Sequence, residues 1–485
     1  MGKVVFMRRS PQPLVSLPEG PGPIYLRLYH KIRSLILDGS WPAGTRLPSS
    51  RRLAEDLAIA RNTANLAIDQ LMADGWIVAR PGSGIYVSEE APPVRPPAPS
   101  PIAGQPIDFD ESGPIPFQII PGAIDLFPVE TWARLQSQVW SKASQSALHE
   151  GSGAGWYGLR CAIAAHLHAV RGLVCAPEQV LVVSGSQAAI DLGLRALAQS
   201  GDQMWTEDPG YPYARQAIRA AGLVEACIPV DSEGMSVSEG VAQAPRARLA
   251  YVTPACQFPT GALMSESRRR ELIDWAESGR GYIIEDDWDY NACFGLAHPP
   301  EPLAARAPER VLFIHSFNRV MFPGLRIAAL VVPASLVPVL VEARQAIDGF
   351  TNVANQIALS EFIQRGHLAS HLRASRIAHL ARRSALHEAL SSRLQGAVEF
   401  DPVQAGLHVV ARIAGLSDTA VAAQARQIGL GCYAMSDFAS DESRADPALL
   451  LGFAAYSPAS LDRAVKQLAL CIPGPIDRNV PAAQR

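Results

Sequence analysis

The chain has 485 residues, 48 % hydrophobic and 18 % charged, with a formal net charge of −3. That length exceeds one average domain, and the composition excludes a disordered, fibrous or uniformly basic protein. The charge is uneven: residues 1–90 carry 11 Lys+Arg against 8 Asp+Glu, a net of +3, which leaves 32 against 38, a net of −6, for the remainder. A mildly basic N-terminal module on an acidic body suits nucleic-acid binding at one end. The seven cysteines are dispersed with no Cys-x-x-Cys pair, which reads as reduced thiols and excludes a disulfide framework or a zinc site. The N-terminus lacks an apolar run of signal-peptide length, and the longest apolar stretch, 327–341, is broken by Pro333, Ser335 and Pro338. It falls short of the ~20 residues that span a bilayer, so a soluble, cytoplasmic protein with no membrane partner is expected.

Residues 25–37 place Leu28, Ile32, Leu35 and Ile36 at helical spacing, and Asp38-Gly39 ends that helix. A proline and two hydroxyls, Pro48-Ser49-Ser50, start a second helix over 51–57. A short turn at Ile59-Ala60 leads to a third over 61–74, with Leu66, Ile68 and Leu71 expected inward and Gly75 closing it. Residues 76–88 read as two strands joined by a Pro-Gly-Ser-Gly turn. Three helices and a hairpin describe a winged helix-turn-helix. The segments 44–54, Ala60-Arg61-Asn62-Thr63 and 75–84 resemble the GntR family of bacterial regulators. The resemblance implies a double-stranded DNA operator as partner, with Ser50 and Arg51 opening the second helix at the backbone. It makes Arg61, Asn62 and Thr63 the start of a recognition helix whose side chains, Asn65 among them, reach the major groove. Gly82 falls at the wing tip, where a small residue permits close approach to the minor groove.

Residues 91–106 contain seven prolines, which suits a semi-extended spacer. The expected organisation is a DNA-binding domain over 1–90, this linker, an effector or dimerisation body over 107–475 and a tail over 476–485.

The body alternates β-branched runs (179–184, 203–207, 248–253, 281–286, 311–316 and 327–332) with helical stretches. Such alternation implies an α/β fold with a mostly parallel sheet and a ligand at the carboxyl ends of the strands. Long helices from about residue 354 lead into a smaller α+β unit around 406–412 and 449–454. Ser184-Gly185-Ser186-Gln187 follows a strand and opens a helix, so its N–H groups and Ser186 suit a phosphate. This segment, with Asp208-Pro-Gly-Tyr-Pro212, Thr253-Pro-Ala-Cys-Gln-Phe-Pro-Thr-Gly261, Ile284-Glu-Asp-Asp-Trp288 and Ser316-Phe-Asn-Arg-Val-Met-Phe-Pro-Gly-Leu-Arg326, resembles the MocR/GabR subfamily of regulators. That subfamily is built on a fold-type I aminotransferase body.

The resemblance implies a site for pyridoxal phosphate (PLP). Tyr211 would stack on the pyridine and Asp286 would pair with its nitrogen, while Gly185, Ser186, Gln187, Ser316 and Arg326 would form the phosphate cup. It also implies a homodimer, arranged head to tail.

Departures from the family pattern carry as much weight. Arg319 stands where the family carries the lysine that bonds covalently to the cofactor. A guanidinium stays protonated and has no free lone pair for an aldehyde. Trp288 replaces a tyrosine whose hydroxyl contacts the ring and offers only an N–H donor. Leu450 lies near where carboxylate-binding aminotransferases carry an arginine, and Cys256 replaces a common histidine. The four lysines, Lys3, Lys31, Lys142 and Lys466, lie outside every cup motif. The expectation is therefore a catalytically inactive body that holds PLP, if at all, without a covalent bond. Two readings of Arg319 stay open: a residue that only retains positive charge, or a guanidinium that joins Arg326 in binding the phosphate or carboxylate of a small anionic effector. The competing functions are a PLP-dependent aminotransferase and a purely structural DNA-binding dimer.

Overall fold

The computed structural model describes residues 17, 22–89, 115–119, 122–141, 151–279, 281–294, 299–401, 405–413, 415–441 and 446–472. The spacer 91–106, the tail 476–485, Lys3 and Lys142 lie outside the described residues. The chain divides into two compact units, Met1–Asp110 and Glu111–Arg485.

In the first unit, helices α1 (Ile24–Leu37), α2 (Ser50–Asp56) and α3 (Arg61–Ala73) precede an antiparallel hairpin of β1 (Ile77–Arg80) and β2 (Gly84–Val87). Ser49 caps α2 by accepting the Arg52 N–H at 3.3 Å, which satisfies one of the unpaired donors of the first turn. Gly75 follows α3 at φ 76°, a left-handed conformation that favours glycine. The core is shared by all three helices and the hairpin: Leu28, Ile32, Leu53, Ile68, Leu71, Trp76 and Val87.

Leu66 is a correction to the expected core, because it is 53 % exposed. The buried stripe of α3 is Ala64, Ala67, Ile68 and Leu71. Leu66 stands two residues past Ala64, about 200° around the helix, so it faces away from that stripe.

The second unit is built on an eight-stranded sheet of β3 (Val180–Val183), β4 (Gln203–Asp208), β5 (Val224–Asp231), β6 (Gly234–Met235), β7 (Leu249–Val252), β8 (Tyr282–Asp286), β9 (Val311–Ser316) and β10 (Ala328–Val331). Its order is β3-β10-β9-β8-β7-β4-β5-β6. Strands β5, β4, β7, β8 and β9 run parallel, whereas β10 is antiparallel to both its neighbours and β6 to β5.

Strands β3, β7 and β10 are apolar and buried along their whole length because both faces of the sheet are covered. Val180 and Val182 enter one core with Phe313 and Val252, while Leu181 and Val183 enter another with Ile314 and Tyr251. This is the period-two alternation of a strand. Helices Val353–Gln364 and His367–Arg393 lead to a three-stranded antiparallel sheet of β11 (His408–Arg412), β12 (Tyr433–Ala434) and β13 (Ala448–Gly452), ordered β11-β13-β12. Among the described residues no helix is long and apolar enough to cross a membrane.

Candidate functional site

The carboxyl ends of β3, β4, β7, β8 and β9 lie at one edge of the large sheet, and the loops leaving them line a cavity of about 250 Å³. Ser186, Gln187, Tyr211, Asp286, Ser316, Arg319 and Arg326, all picked out in the sequence, line it together with Trp288.

Gly185 caps the helix Ser186–Leu197 at φ 115°, and a Cβ there would stand 2.9 Å from Asn318 Nδ2 and 3.3 Å from an Arg326 terminal nitrogen. Only glycine gives both the backbone conformation and the space at this helix N-terminus. Asn318 fixes the facing turn, its Oδ1 accepting the Ile327 N–H at 2.9 Å. Arg326 itself is left-handed, φ 54° and ψ 47°. Gln187 is partly committed, since its Nε2 donates to the Tyr213 carbonyl at 2.9 Å.

Alternation along β8 and the residue after it explains how three consecutive acids divide their work. Glu285 accepts the Leu303 and Ala304 N–H groups, each at 3.0 Å, and Asp287 is gripped by Arg171 at 2.9 and 3.0 Å. Asp286 points to the opposite face and into the cavity. Its Oδ2 accepts the Tyr251 hydroxyl at 3.0 Å, while Oδ1 is buried without a partner. Burial pushes this carboxyl up to about 7, against the lowering effect of the Tyr251 hydrogen bond. Tyr211 is likewise raised by burial, to about 12, and its ring meets Phe258 edge-on at 5.8 Å.

Arg319 projects from the short helix Phe317–Val320 and lies over the Trp288 ring, 4.2 Å from its centroid. Trp288 is held beneath it by an Nε1–H donated to the Cys256 carbonyl at 2.8 Å. The nearest acid, Asp289, leaves 3.9 Å between its Oδ2 and Arg319 Nε. Arg319 Nε and one terminal nitrogen are buried without a hydrogen-bond partner, as is Asp289 Oδ2.

Leu450 is fully buried on β13 among Val410, Met435, Ala448 and Phe438, so the wall it belongs to is apolar. Cys256 is buried beside Cys293 and Ala405, and burial raises its thiol well above the ordinary value. Among the described residues no lysine lines the cavity; Lys31 lies on α1 and Lys466 on the helix Pro458–Leu468. Tyr251, Thr253, Phe258, Asn318 and Asp289 were not foreseen. Thr253, Phe258 and Asn318 lie within the segments that carry the family resemblance, which gave them no part of their own; Tyr251 meets Asp286 35 residues on, and nothing local marks it or Asp289.

The residues expected at DNA lie in the other unit. Ser50 and Arg51 open α2, and Arg61, Asn62, Thr63 and Asn65 occupy the first turns of α3. Arg51 and Arg61 are exposed, and Arg51 pairs with Glu55 at 3.0 Å across one helical turn. Gly82, exposed at φ 70°, forms the hairpin tip, while Arg80 is turned back over Tyr86 and paired with Glu89 at 3.2 Å.

Residues 24–87 match the model of the bacterial regulatory proteins of the gntR family, and residues 121–468 match that of aminotransferase class I and II. Similar proteins include the probable rhizopine catabolism regulatory protein MocR of Rhizobium meliloti, 33 % identical over 92 % of this chain and 93 % of that protein. Another is the pyridoxine biosynthesis transcriptional regulator PdxR of Corynebacterium glutamicum, 28 % identical over 93 % of this chain and 96 % of that one. Among solved structures, the α-aminoadipate aminotransferase LysN of Thermus thermophilus is 26 % identical with a TM-score of 0.66, covering 73 % of this chain and 91 % of that one.

Proposed function

Since the chain belongs to the aminotransferase class I and II family over its body, and with its gntR-type N-terminal module to the MocR family of DNA-binding transcriptional regulators, we propose that its body holds PLP or a related phosphorylated pyridine without a covalent bond. The observation that carries this reading is one cavity lined by Asp286 and Arg319, whose Oδ1 and two nitrogens respectively are buried without partners, with no lysine among its described lining residues. Buried polar groups are rarely left unpaired, so the cavity suits a ligand that supplies the missing partners.

Gly185, Ser186, Ser316 and Arg326 would hold the phosphate, and the space that a Cβ at Gly185 would fill fits that role. Asp286 would hold the ring nitrogen and Tyr211 would lie against the ring. When bound, the cofactor supplies an electron-withdrawing ring, but transamination also needs an amine that bonds to it and shuttles protons. The guanidinium at 319 supplies neither, so in this reading the body is a sensor and not an enzyme.

At the operator, Arg61, Asn62, Thr63 and Asn65 would reach base edges or phosphates, Ser50 and Arg51 the backbone, and Gly82 the minor groove. The body would join two copies head to tail and present two modules to paired half-sites.

Calorimetric titration with PLP, followed by borohydride reduction and mass spectrometry, tests the ligand. Saturable binding with no mass adduct is expected. A trapped lysine adduct would overturn the non-covalent reading, and an absence of binding would favour a scaffold with no ligand. The Arg319→Lys variant is expected to gain a borohydride-trapped adduct at that position, because the remainder of the cavity is already arranged around it.

A further inference from the structure

The two arginines of the cavity have different surroundings, and we propose that they select ligands with two separate anionic groups. A phosphate would lie at Arg326, and a carboxylate on another ring substituent would lie at Arg319, in preference to an amine. This inference rests on the non-covalent reading above and adds the chemistry of the second group.

Arg326 belongs to the phosphate end: its terminal nitrogen would be 3.3 Å from a Cβ at Gly185, beside the N-terminus of Ser186–Leu197. Arg319 belongs elsewhere. One face covers Trp288 at 4.2 Å, and the side chain also borders a second cavity, of about 10 Å³, with Asp289, Ser375 and His379. A space of that size admits at most about one water molecule, so no ligand approaches from that side. The stacked tryptophan and the small chamber leave the guanidinium little freedom, yet Asp289 at 3.9 Å is beyond hydrogen-bond reach. The guanidinium lines the ligand cavity, its Nε and one terminal nitrogen have no hydrogen-bond partner, and Nε is the nitrogen nearest Asp289.

A carboxylate answers that arrangement with charge-assisted hydrogen bonds, which are stronger than neutral ones. An ammonium in the same place meets like charge. Asp289 is the counterweight, for an ionised carboxylate beside Arg319 reduces its pull on an anion. It leaves the two donors unfilled, however, and only an acceptor can fill them. Among the described residues lining the cavity, Arg319 and Arg326 are the only basic ones, so no other of these competes for the second anion.

The test compares three compounds that differ at one ring substituent: pyridoxamine 5′-phosphate (amine), PLP (aldehyde) and 4-pyridoxic acid 5′-phosphate (carboxylate). Each is titrated calorimetrically into the full-length protein and into Arg319→Gln. The carboxylate compound should bind wild type at least about tenfold tighter than the amine, and Arg319→Gln should reduce that margin to about twofold or less. Equal or tighter binding of the amine by wild type would overturn the proposal while leaving non-covalent binding intact, and this arm needs no variant to fold. An Arg319→Gln protein that weakens all three equally would also overturn it, because the guanidinium would then serve only the shared phosphate or the packing. If none of the three binds, both this inference and the non-covalent reading fail.

Discussion

Burial raises the Asp286 carboxyl to about 7, and Tyr251, which donates to Oδ2 from a strand 35 residues earlier, offsets only part of that effect. A carboxyl whose pKa is higher folded than unfolded contributes stability while protonated, and loses that contribution as pH rises through the folded value. For Asp286 the window runs from its ordinary 3.8 up to about 7. Without ligand, Asp286→Asn is therefore expected to match wild type near pH 4 and to exceed it at pH 8 by roughly 1–3 kcal/mol. Urea denaturation at several pH values reads this directly. Glu285, also raised to about 7 by burial, is present in both proteins and drops out of the difference, whereas Glu207, raised likewise, repels the Asp286 charge and adds to it. Parallel pH profiles for the two proteins would show that folding does not raise the Asp286 pKa. Asp286 was legible from its strand-end motif alone. Tyr251 was not, because an aromatic residue inside an apolar strand looks like any other core residue until its hydroxyl finds a partner.

Elements were legible where a local pattern and the tertiary environment agree. Strands β7, β8 and β9 are apolar on both faces and end in the motifs that form the cavity, so their position and direction follow from sequence. Strand β5 escaped because Glu225, Pro229 and Asp231 interrupt its pattern, although it pairs with β4 along its length. The antiparallel course of β10 was equally hidden, since hydrophobic periodicity carries no strand direction. In α3 the expected Ile68 and Leu71 are buried, but the two buried alanines, Ala64 and Ala67, are weak hydrophobic markers, and the larger Leu66 was counted inward although it is exposed. Asn62, one turn before Leu66, shares that exposed face, and Arg61 is exposed at the start of the same helix. Arg61→Ala should weaken operator binding and lower the slope of log affinity against log salt by about 1 if Arg61 contacts a phosphate. If it reads a base instead, the loss should be roughly 1–3 kcal/mol at one operator position, with the salt slope nearly kept. Fluorescence anisotropy across a salt series separates these outcomes, and an unchanged affinity would remove Arg61 from the interface.

For the whole molecule, the N-terminal unit carries a closed hydrophobic core of its own, drawn from residues between Leu28 and Val87. Trp41, Trp76 and Leu71 are buried members of that core. Joining two modules is the role we propose for the body. Linking two weak sites makes the second contact intramolecular, with gains on the order of 10²–10⁴ in affinity when the geometry allows both. Residues 1–90 alone should therefore bind a two-half-site operator on the order of a hundredfold more weakly than the full chain, while matching it on a single half-site. Half-site spacing supplies a second readout. Inserting about 5 base pairs rotates one half-site to the far side of the duplex, whereas about 10 restores its facing. A full-length protein that gains no affinity over residues 1–90, and shows no phase dependence in gel shifts, would bind as independent monomers. Its body would then act on transcription through its ligand without coupling two DNA contacts.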